Sequence, residues 1–600
     1  STSSRDFQLD VDSDYLSAGF NYRGDRLRIE ALAAHAESTY FDSTNGVTLT
    51  MDSPGLKVTL DPATGVPAFT FASGYETSNI ANYRTLSVQY RPSENDISED
   101  QVKFDLDYDL ETPFFTKFEA GAQYRKSASL YYRDSGYIVS TGADLLPNTA
   151  DDIRTASSRI DTDYDLTTNT ALRAVLGGAV TTLPSSFFDG YNLSGQASNW
   201  LVPDTAAILK LVSTEGFNHA NVREALGTDG KLYPQIPVHD IEEEVKATYA
   251  KLNFATHLFG LDIDGNVGVR GVRTEVRATG LLQRNERRLT PTALNPAATT
   301  TYQISNTITT INEAYQDVLP SFNASTWLIP GQLTVRVGWA KVMARPKMTD
   351  LVPSATCTFD ATGGLIPDDD FSDICSAGNP ALKPYRANQT DLSAEWYPNR
   401  DTQLSIGLFR KDIRTYILNR TLVRDVDYFH DGNLINVTMP VNGRGATTKG
   451  VEVAFKTAFT ALPGLWSGFG IDTNYTWSEA ENGGLYSELD GSELPFPGLS
   501  KDSYNIALWY DKGPINARLA YNGRSDYLVT AADLSGKPVY RDGSEYLDAK
   551  ITWRGPNGVS IFLEGKNLTG TAERSNSGDI RLNELAWPGK RVFAGVTFKL

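Results

Sequence analysis

NPALKPYRANQTDLSAEWYPNRDTQLSIGLFRKD, residues 379–412, contains a strand, a tight turn and a returning strand. In the first run Leu392, Ala394 and Trp396 alternate with Asp391, Ser393, Glu395 and Tyr397. After Pro398-Asn399-Arg400-Asp401 the alternation resumes, with Leu404, Ile406 and Leu408 set against Ser405, Gly407 and Lys411. Successive side chains on a strand point to opposite faces, so this period of two gives the hairpin one apolar and one polar face. What the apolar face meets decides the fold class.

The same period recurs from end to end. Residues 101–110 place Val102, Phe104, Leu106, Tyr108 and Leu110 on one side and Lys103, Asp105, Asp107 and Asp109 on the other. Comparable runs start near Asp14, Leu27, Thr116, Val245, Asn266, Tyr315, Leu333, Val451, Ser467, Tyr504, Ile515, Tyr546, Val559 and Arg591, about seventeen strands in all. Short turns at 23–25, 111–113, 328–331, 398–401, 511–514 and 555–557 alternate with long connections at 133–243, 285–312, 347–384, 421–449, 478–501, 526–545 and 569–590. Short turns on one rim and long loops on the other are the arrangement of an outer-membrane β-barrel, with periplasmic turns and extracellular loops. A secreted sandwich has no reason to sort its loops so, and a solenoid needs a fixed repeat that is not found.

In this reading the apolar row faces lipid. Lys103, Asp105, Asp107, Asp109, Glu395, Glu452, Lys456, Glu564 and Lys566 line a hydrated lumen, and Tyr108, Trp396, Trp509, Tyr510 and Trp553 supply the interfacial aromatic girdles. Within the loop 133–243, PDTAAILKLVS (203–213) carries a cap at Asp204 and apolar spacing at Ala207, Ile208 and Leu211, which predicts a short helix over the barrel mouth.

Composition agrees. The chain of 600 residues has 29 Tyr, 26 Phe and 49 Gly but only 4 Met, and its mean hydropathy is −0.32. A net charge of −18 argues against nucleic acid, whose phosphates need a positive partner surface. No apolar run is long enough for a transmembrane helix, and no basic-then-apolar leader opens the chain. The opening STSSRDFQLDVDSDY, without a starting Met, reads as a processed or truncated chain. Cys357 and Cys375 lie in the Gly-, Pro- and Asp-rich loop 347–384; we read them as a disulfide rather than two free thiols, which implies an oxidising compartment.

The stretch 379–413 resembles the sequence that follows a long extracellular loop in TonB-dependent outer-membrane receptors, most of all the branch abundant in xanthomonads, caulobacters and sphingomonads. DVLPSFNASTWLIPGQLTVRVGWAKVMARP (317–346), TKGVEVAFK (448–456), LEGKNLTG (563–570) and the closing WPGKRVFAGVTFKL (587–600) resemble the same receptors. The resemblance implies an all-β transmembrane antiparallel barrel of the 22-stranded type spanning 1–600. It also implies a plug folded inside from the N-terminus, a TonB box before that plug, and energy from TonB with its ExbB and ExbD partners. An outer-membrane lipoprotein, lipid and lipopolysaccharide complete the implied partners. The count near seventeen departs from 22, and nothing resembles a plug, so the chain is expected to begin near the sixth strand with the plug absent. Leu600 stands where the family commonly ends in Phe.

No catalytic set is found, and the reading is of a non-enzyme. The histidines His35, His219, His239, His257 and His430 are scattered without zinc spacing. The runs Glu242-Glu243-Glu244 and Asp368-Asp369-Asp370 read as solvated surface. No cofactor is implied, although Asp144, Asp151 and Asp152, and the stretch 360–373, offer carboxylates for a structural calcium ion. The candidate ligand-binding residues are loop aromatics, Trp200, Tyr428, Phe429, Tyr486, Phe496, Tyr527 and Trp587, with Phe187, Phe188, Tyr191, Tyr233 and Tyr540 beside them. Flat rings near Asp and Asn suit a sugar, whose C–H face stacks while its hydroxyls need acceptors. The bland reading is that half of these rings only pack loops together. The expected function is TonB-energised uptake of a scarce bulky solute, an oligosaccharide or a plant- or polymer-derived compound. A ferric siderophore, held by Arg424, Arg444 and Arg524, is the alternative, and a passive porin is a third reading.

Overall fold

The computed structural model describes all residues except 61–66, 134–136, 141–152, 157–159, 184–198, 213–221, 227–231, 235–236, 290–298, 361–373, 429–434, 444, 482–484, 488, 534–535, 579–580 and 599–600. Seventeen strands, each antiparallel to the next in chain order, form one sheet that curves into a barrel. They are β1 (Thr2–Arg23), β2 (Leu27–Met51), β3 (Tyr83–Asp109), β4 (Phe115–Arg133), β5 (His239–Leu258) and β6 (Leu261–Leu289). Next come β7 (Thr299–Ile329), β8 (Leu333–Ala344), β9 (Tyr385–Asn399), β10 (Thr402–Val426), β11 (Ala446–Ala458) and β12 (Phe469–Glu481). The last are β13 (Asp502–Lys512), β14 (Ile515–Arg524), β15 (Ser544–Arg554), β16 (Val559–Lys566) and β17 (Arg591–Phe598). Among the described residues β1 is laddered to β2 alone and β17 to β16 alone.

The alternation in the sequence becomes a two-faced wall. On β3, Val102, Phe104 and Tyr108 are exposed while Lys103, Asp105 and Asp107 are half-buried. Leu106 sits between Ile29 of β2 and Ala120 of β4, extending the apolar row sideways. The hairpin β9–β10 pairs as its sequence indicates, Leu392 opposite Leu408 and Trp396 opposite Leu404, with Leu392 and Trp396 exposed. Phe114, Phe254 and Phe322 stack in a file at the short-turn end, with centroids 5.5 and 6.2 Å apart.

One predicted girdle residue lies elsewhere. Trp509 is on the polar face, where its Nε1–H donates to Asp472 at 3.1 Å. Its ring lies over Gly470, so close that a Cβ there would stand 2.0 Å from it. Glycine opposite an inward Trp is a packing pair that an unaligned strand pattern does not reveal.

Several strands are longer than their apolar runs. β5 begins at His239 and β7 at Thr299, not near Val245 and Tyr315, so the expected loop 133–243 ends at 238. At this end β4–β6 carry charges across the outer face: Lys126 to Glu242 at 3.3 Å and Lys246 to Glu275 at 3.2 Å between strands, and Arg273 to Glu275 at 2.6 Å along β6. Opposite charges on paired strands stabilise a ladder that stands in water, where no apolar row is needed.

Helices are few. α1 (Thr170–Leu176) and α2 (Thr205–Ile208) lie beyond the long-loop ends of β1–β3, and Asp204 caps α2 by accepting from the Ala207 N–H at 3.0 Å. Ile208 of α2 and Leu172 and Leu176 of α1 bury against Val47, Leu49, Tyr83 and Leu86. This satellite core is where the chain is most globular.

Candidate functional site

The polar face of the wall is tied into networks. Lys117 reaches Asp107 at 2.6 Å and Glu119 at 3.2 Å, and Glu119 also takes Lys251 and the Asn253 amide at 2.9 Å. Asp105 accepts from Tyr249 at 2.8 Å and pairs with Lys103 at 2.6 Å. Glu395 is held by Arg336 and by the Tyr397 hydroxyl. Glu564 lies between Lys550 at 3.1 Å and Lys566 at 3.5 Å. Glu452 and Lys456 are exposed along β11, Glu452 beside Gly407, and Asp109 lies at the turn end of the row. Low on β5–β9 this face opens into a trough of about 480 Å³ whose lining includes Asn253, Asn266, Asn323, Ser325, Asp391 and Ser393. The Asn323 amide donates to Asn266 at 3.1 Å.

Higher on the same face the acidic run 242–244 divides. Glu242 and Glu244 point outward to Lys126 and Lys246, whereas Glu243 is 4 % exposed and accepts from Arg125 at 3.1 Å and Arg345 at 3.0 Å. The expectation that all three are solvated surface therefore fails at Glu243. Strand parity read from Val245 would have found it. Beside this cluster Arg386 holds Asp317 through two N–H groups, at 2.5 and 3.1 Å, over the ring of Tyr315.

Residues 345–360, which leave β8, and 374–384, which lead to β9, cross this face as a strap. Leu351 and Leu382 of the strap bury against Ile241, Val276 and Ala278 of β5 and β6 and against Ile417 of β10. The strap strand Ala355–Asp360 pairs in parallel with 282–287 of β6, and then antiparallel with Ile374–Ala377. Cys375 and Ser376 pair in parallel with the outer strand Ile435–Gly443, itself laddered to β10. Cys357 and Cys375 face one another in that hairpin and are disulfide-bonded, as read from the sequence.

A lipid-facing apolar row, a polar inner wall and long loops on one rim are the geometry of an outer-membrane receptor barrel. The family described as "TonB dependent receptor-like, beta-barrel" matches residues 34–568. The chain belongs to that family. As a TonB-dependent receptor barrel it resides in the outer membrane, and the members of its family are transport receptors. No curated protein matches the chain. Similar solved structures include the siderophore receptor PiuA from Acinetobacter baumannii, at 12% identity and TM-score 0.46 over 99% of this chain and 79% of that one. BauA, the ferric preacinetobactin receptor of the same organism, gives 10% and 0.48 over 99% and 63%. The ferric citrate transporter FecA in its unliganded form gives 11% and 0.45 over 98% and 70%.

The receptor does not gather its candidate aromatics at one point. Trp200 packs in the satellite core, 5.2 Å from Phe69, with its buried indole N–H unpartnered among the described residues. Tyr428 joins the cluster around the disulfide, where burial pushes its hydroxyl up to about 12. Phe496 lies 5.1 Å from Tyr416 of β10, and Tyr486, exposed, bridges to Glu493 in the same loop. Tyr527 carries Arg524 over its ring at 4.0 Å, with the Arg524 Nε donating to Ser500 at 2.8 Å. Trp587 is half-buried just before β17. Phe429, Phe187, Phe188, Tyr191, Arg444, His219, His430, Leu600, the triad Asp144, Asp151 and Asp152, and residues 361–373 lie outside the described residues. Among the described residues no group of three His, Cys, Asp or Glu stands together as a metal site.

Proposed function

We propose that this receptor takes up a scarce, bulky, hydroxyl-rich solute, an oligosaccharide or a related plant- or polymer-derived compound, with energy from TonB and no covalent chemistry of its own. The observation that supports the solute class is the trough on the inner wall. Asn253, Asn266, Asn323, Ser325 and Ser393 offer neutral donors and acceptors, and Asp391 adds an acceptor suited to vicinal hydroxyls. The nearby cation Arg336 is already paired with Glu395, so an anionic chelate gains little there. On this reading the barrel is of the 22-stranded type and works with an N-terminal plug.

A second reading, a ferric-siderophore receptor, rests on Arg524. Its guanidinium has no carboxylate within ion-pair distance among the described residues, and it stacks on Tyr527 at 4.0 Å, which suits an aromatic anion. The test is growth and uptake on a panel of oligosaccharides and ferric siderophores, in cells with and without the full-length gene. Growth on one sugar that is lost with the gene and restored by it supports the first reading. A loss confined to low iron overturns it in favour of the second.

A further inference from the structure

The strap is anchored at every described point along its course. At its root Arg345 binds the buried Glu243 at 3.0 Å, and Glu243 is held from the other side by Arg125 at 3.1 Å. Ser354 donates its Oγ–H to the Val238 carbonyl at 2.8 Å and accepts from the Leu281 N–H at 3.0 Å. Gly280 lets it lie flush, since a Cβ there would stand 2.4 Å from Ser354 Oγ. At the far side the Asn379 amide donates to Pro440 at 3.0 Å, and Lys383 and Asn442 exchange two hydrogen bonds at 2.8 and 2.9 Å. Leu351 and Leu382 seal the span against β5, β6 and β10.

The pairings close a circuit. From β6 the ladders run to 355–360, across the disulfide hairpin to 374–377, on to Ile435–Gly443 and into β10, then back through β9, β8 and β7. On the wall β6 and β10 are separated by three strands, which at about 4.8 Å per step is roughly 19 Å of arc. A segment laddered to both is a chord across the inner face. Its described parts, 345–360 and 374–384, are hydrogen-bonded to the wall and stapled together by a disulfide, which resists swinging as a loop would.

We propose that this strap is a fixed partition of the mouth. It shuts the sector in front of β6–β10 to bulky solutes and leaves the rest of the mouth as the way in. Glu243 is the positioning residue that bolts its root to the wall. The partition acts as a size and path filter whatever solute the receptor carries.

The test is chemical access in intact cells bearing the full-length receptor. A reporter cysteine is placed under the strap, Ala278→Cys, and another on the inner face of β13, Ser503→Cys; the native disulfide stays in place because it does not react with maleimide. A membrane-impermeant polyethylene-glycol maleimide is added outside. The expected result is labelling of Ser503→Cys and protection of Ala278→Cys. Adding Glu243→Ala should then raise labelling at Ala278→Cys by about 100-fold, the scale on which losing one partner of a buried ion pair moves a local opening, with Ser503→Cys unchanged. Leu382→Asp, a change on the strap alone, should do the same and serves if Glu243→Ala does not assemble. Labelling of Ala278→Cys at the Ser503→Cys rate in the unaltered background would overturn the proposal, as would persistent protection in both Glu243→Ala and Leu382→Asp.

Discussion

Replacing Leu106 by Arg sets the lipid face of the wall against the polar one. On β3 the outer row changes from charged to apolar below Asp100, which pairs with His35 at 2.8 Å, and the strand ends at Asp109. A tilted strand rises about 2.4 Å along the membrane normal per residue, so those nine steps cover roughly 22 Å, close to the usual apolar belt of about 25 Å. Leu106 then lies about 4 Å from the middle of the belt. A cation at the midplane costs about 2–4 kcal/mol and little near the edges, so Leu106→Arg is expected to cost about 2–3 kcal/mol. Asp105→Asn, one residue away, keeps an acceptor for the Tyr249 hydroxyl and loses only its pairing with the half-exposed Lys103, worth up to about 1 kcal/mol. Denaturant titration of the receptor in lipid vesicles, followed by tryptophan fluorescence, measures both. Equal losses, or a larger loss for Asp105→Asn, would refute the assignment of faces.

Glu243→Ala leaves two half-buried arginines without their shared carboxylate, and in the same titration it should cost about 3 kcal/mol, near the low end for a broken buried pair. Gly470→Leu drives a side chain into Trp509 and should destabilise β12–β13 by about 1–3 kcal/mol, read as a lower unfolding midpoint; a neutral result would mean that Trp509 does not lie on Gly470. Tyr428 ionises late because it is buried. The neutral form is favoured in the fold, so its contribution is complete below the ordinary tyrosine range near pH 10 and falls as pH rises towards about 12. Tyr315 is buried and ionises late as well, so absorbance titration at alkaline pH should show that Tyr428→Phe lowers the late-ionising amplitude by one tyrosine. Reducing the Cys357–Cys375 bond should make the strap hairpin more susceptible to added protease in intact cells, by the equivalent of about 3 kcal/mol for a loop of this size, while the barrel stays assembled.

The fold was legible wherever lipid imposes a pattern. The rows Val102-Phe104 and Leu392-Trp396 needed only strand parity, and their short turns placed one rim. Strand ends in water were not legible, because β5 continues through cross-strand charge pairs and β7 through a run rich in Thr and Asn, neither of which has an apolar period. The strap was hidden for a related reason. Its parallel ladders join residues far apart in sequence, and the disulfide was the only local sign of it. Alternation places Lys103, Asp105 and Glu395 on one polar face, whereas Glu243 is hidden inside an acidic run and Trp509 sits on the polar face, away from the girdle its position suggests. The loop aromatics show the weakness of composition: rings that could stack on a sugar also pack satellite cores, as Trp200 and Tyr428 do.

The 31 residues of β7 give a last consequence. At about 2.4 Å of height per residue the strand rises roughly 70 Å, nearly three times the thickness of the apolar belt. The receptor is thus a chimney more than a hole, with its mouth tens of ångströms above the lipid, among the sugar chains of the surrounding leaflet. A large particle checked by that brush meets the rim before it meets the membrane. The same height lifts the charged ladders of β4–β6 into water, where their ion pairs weaken as salt rises.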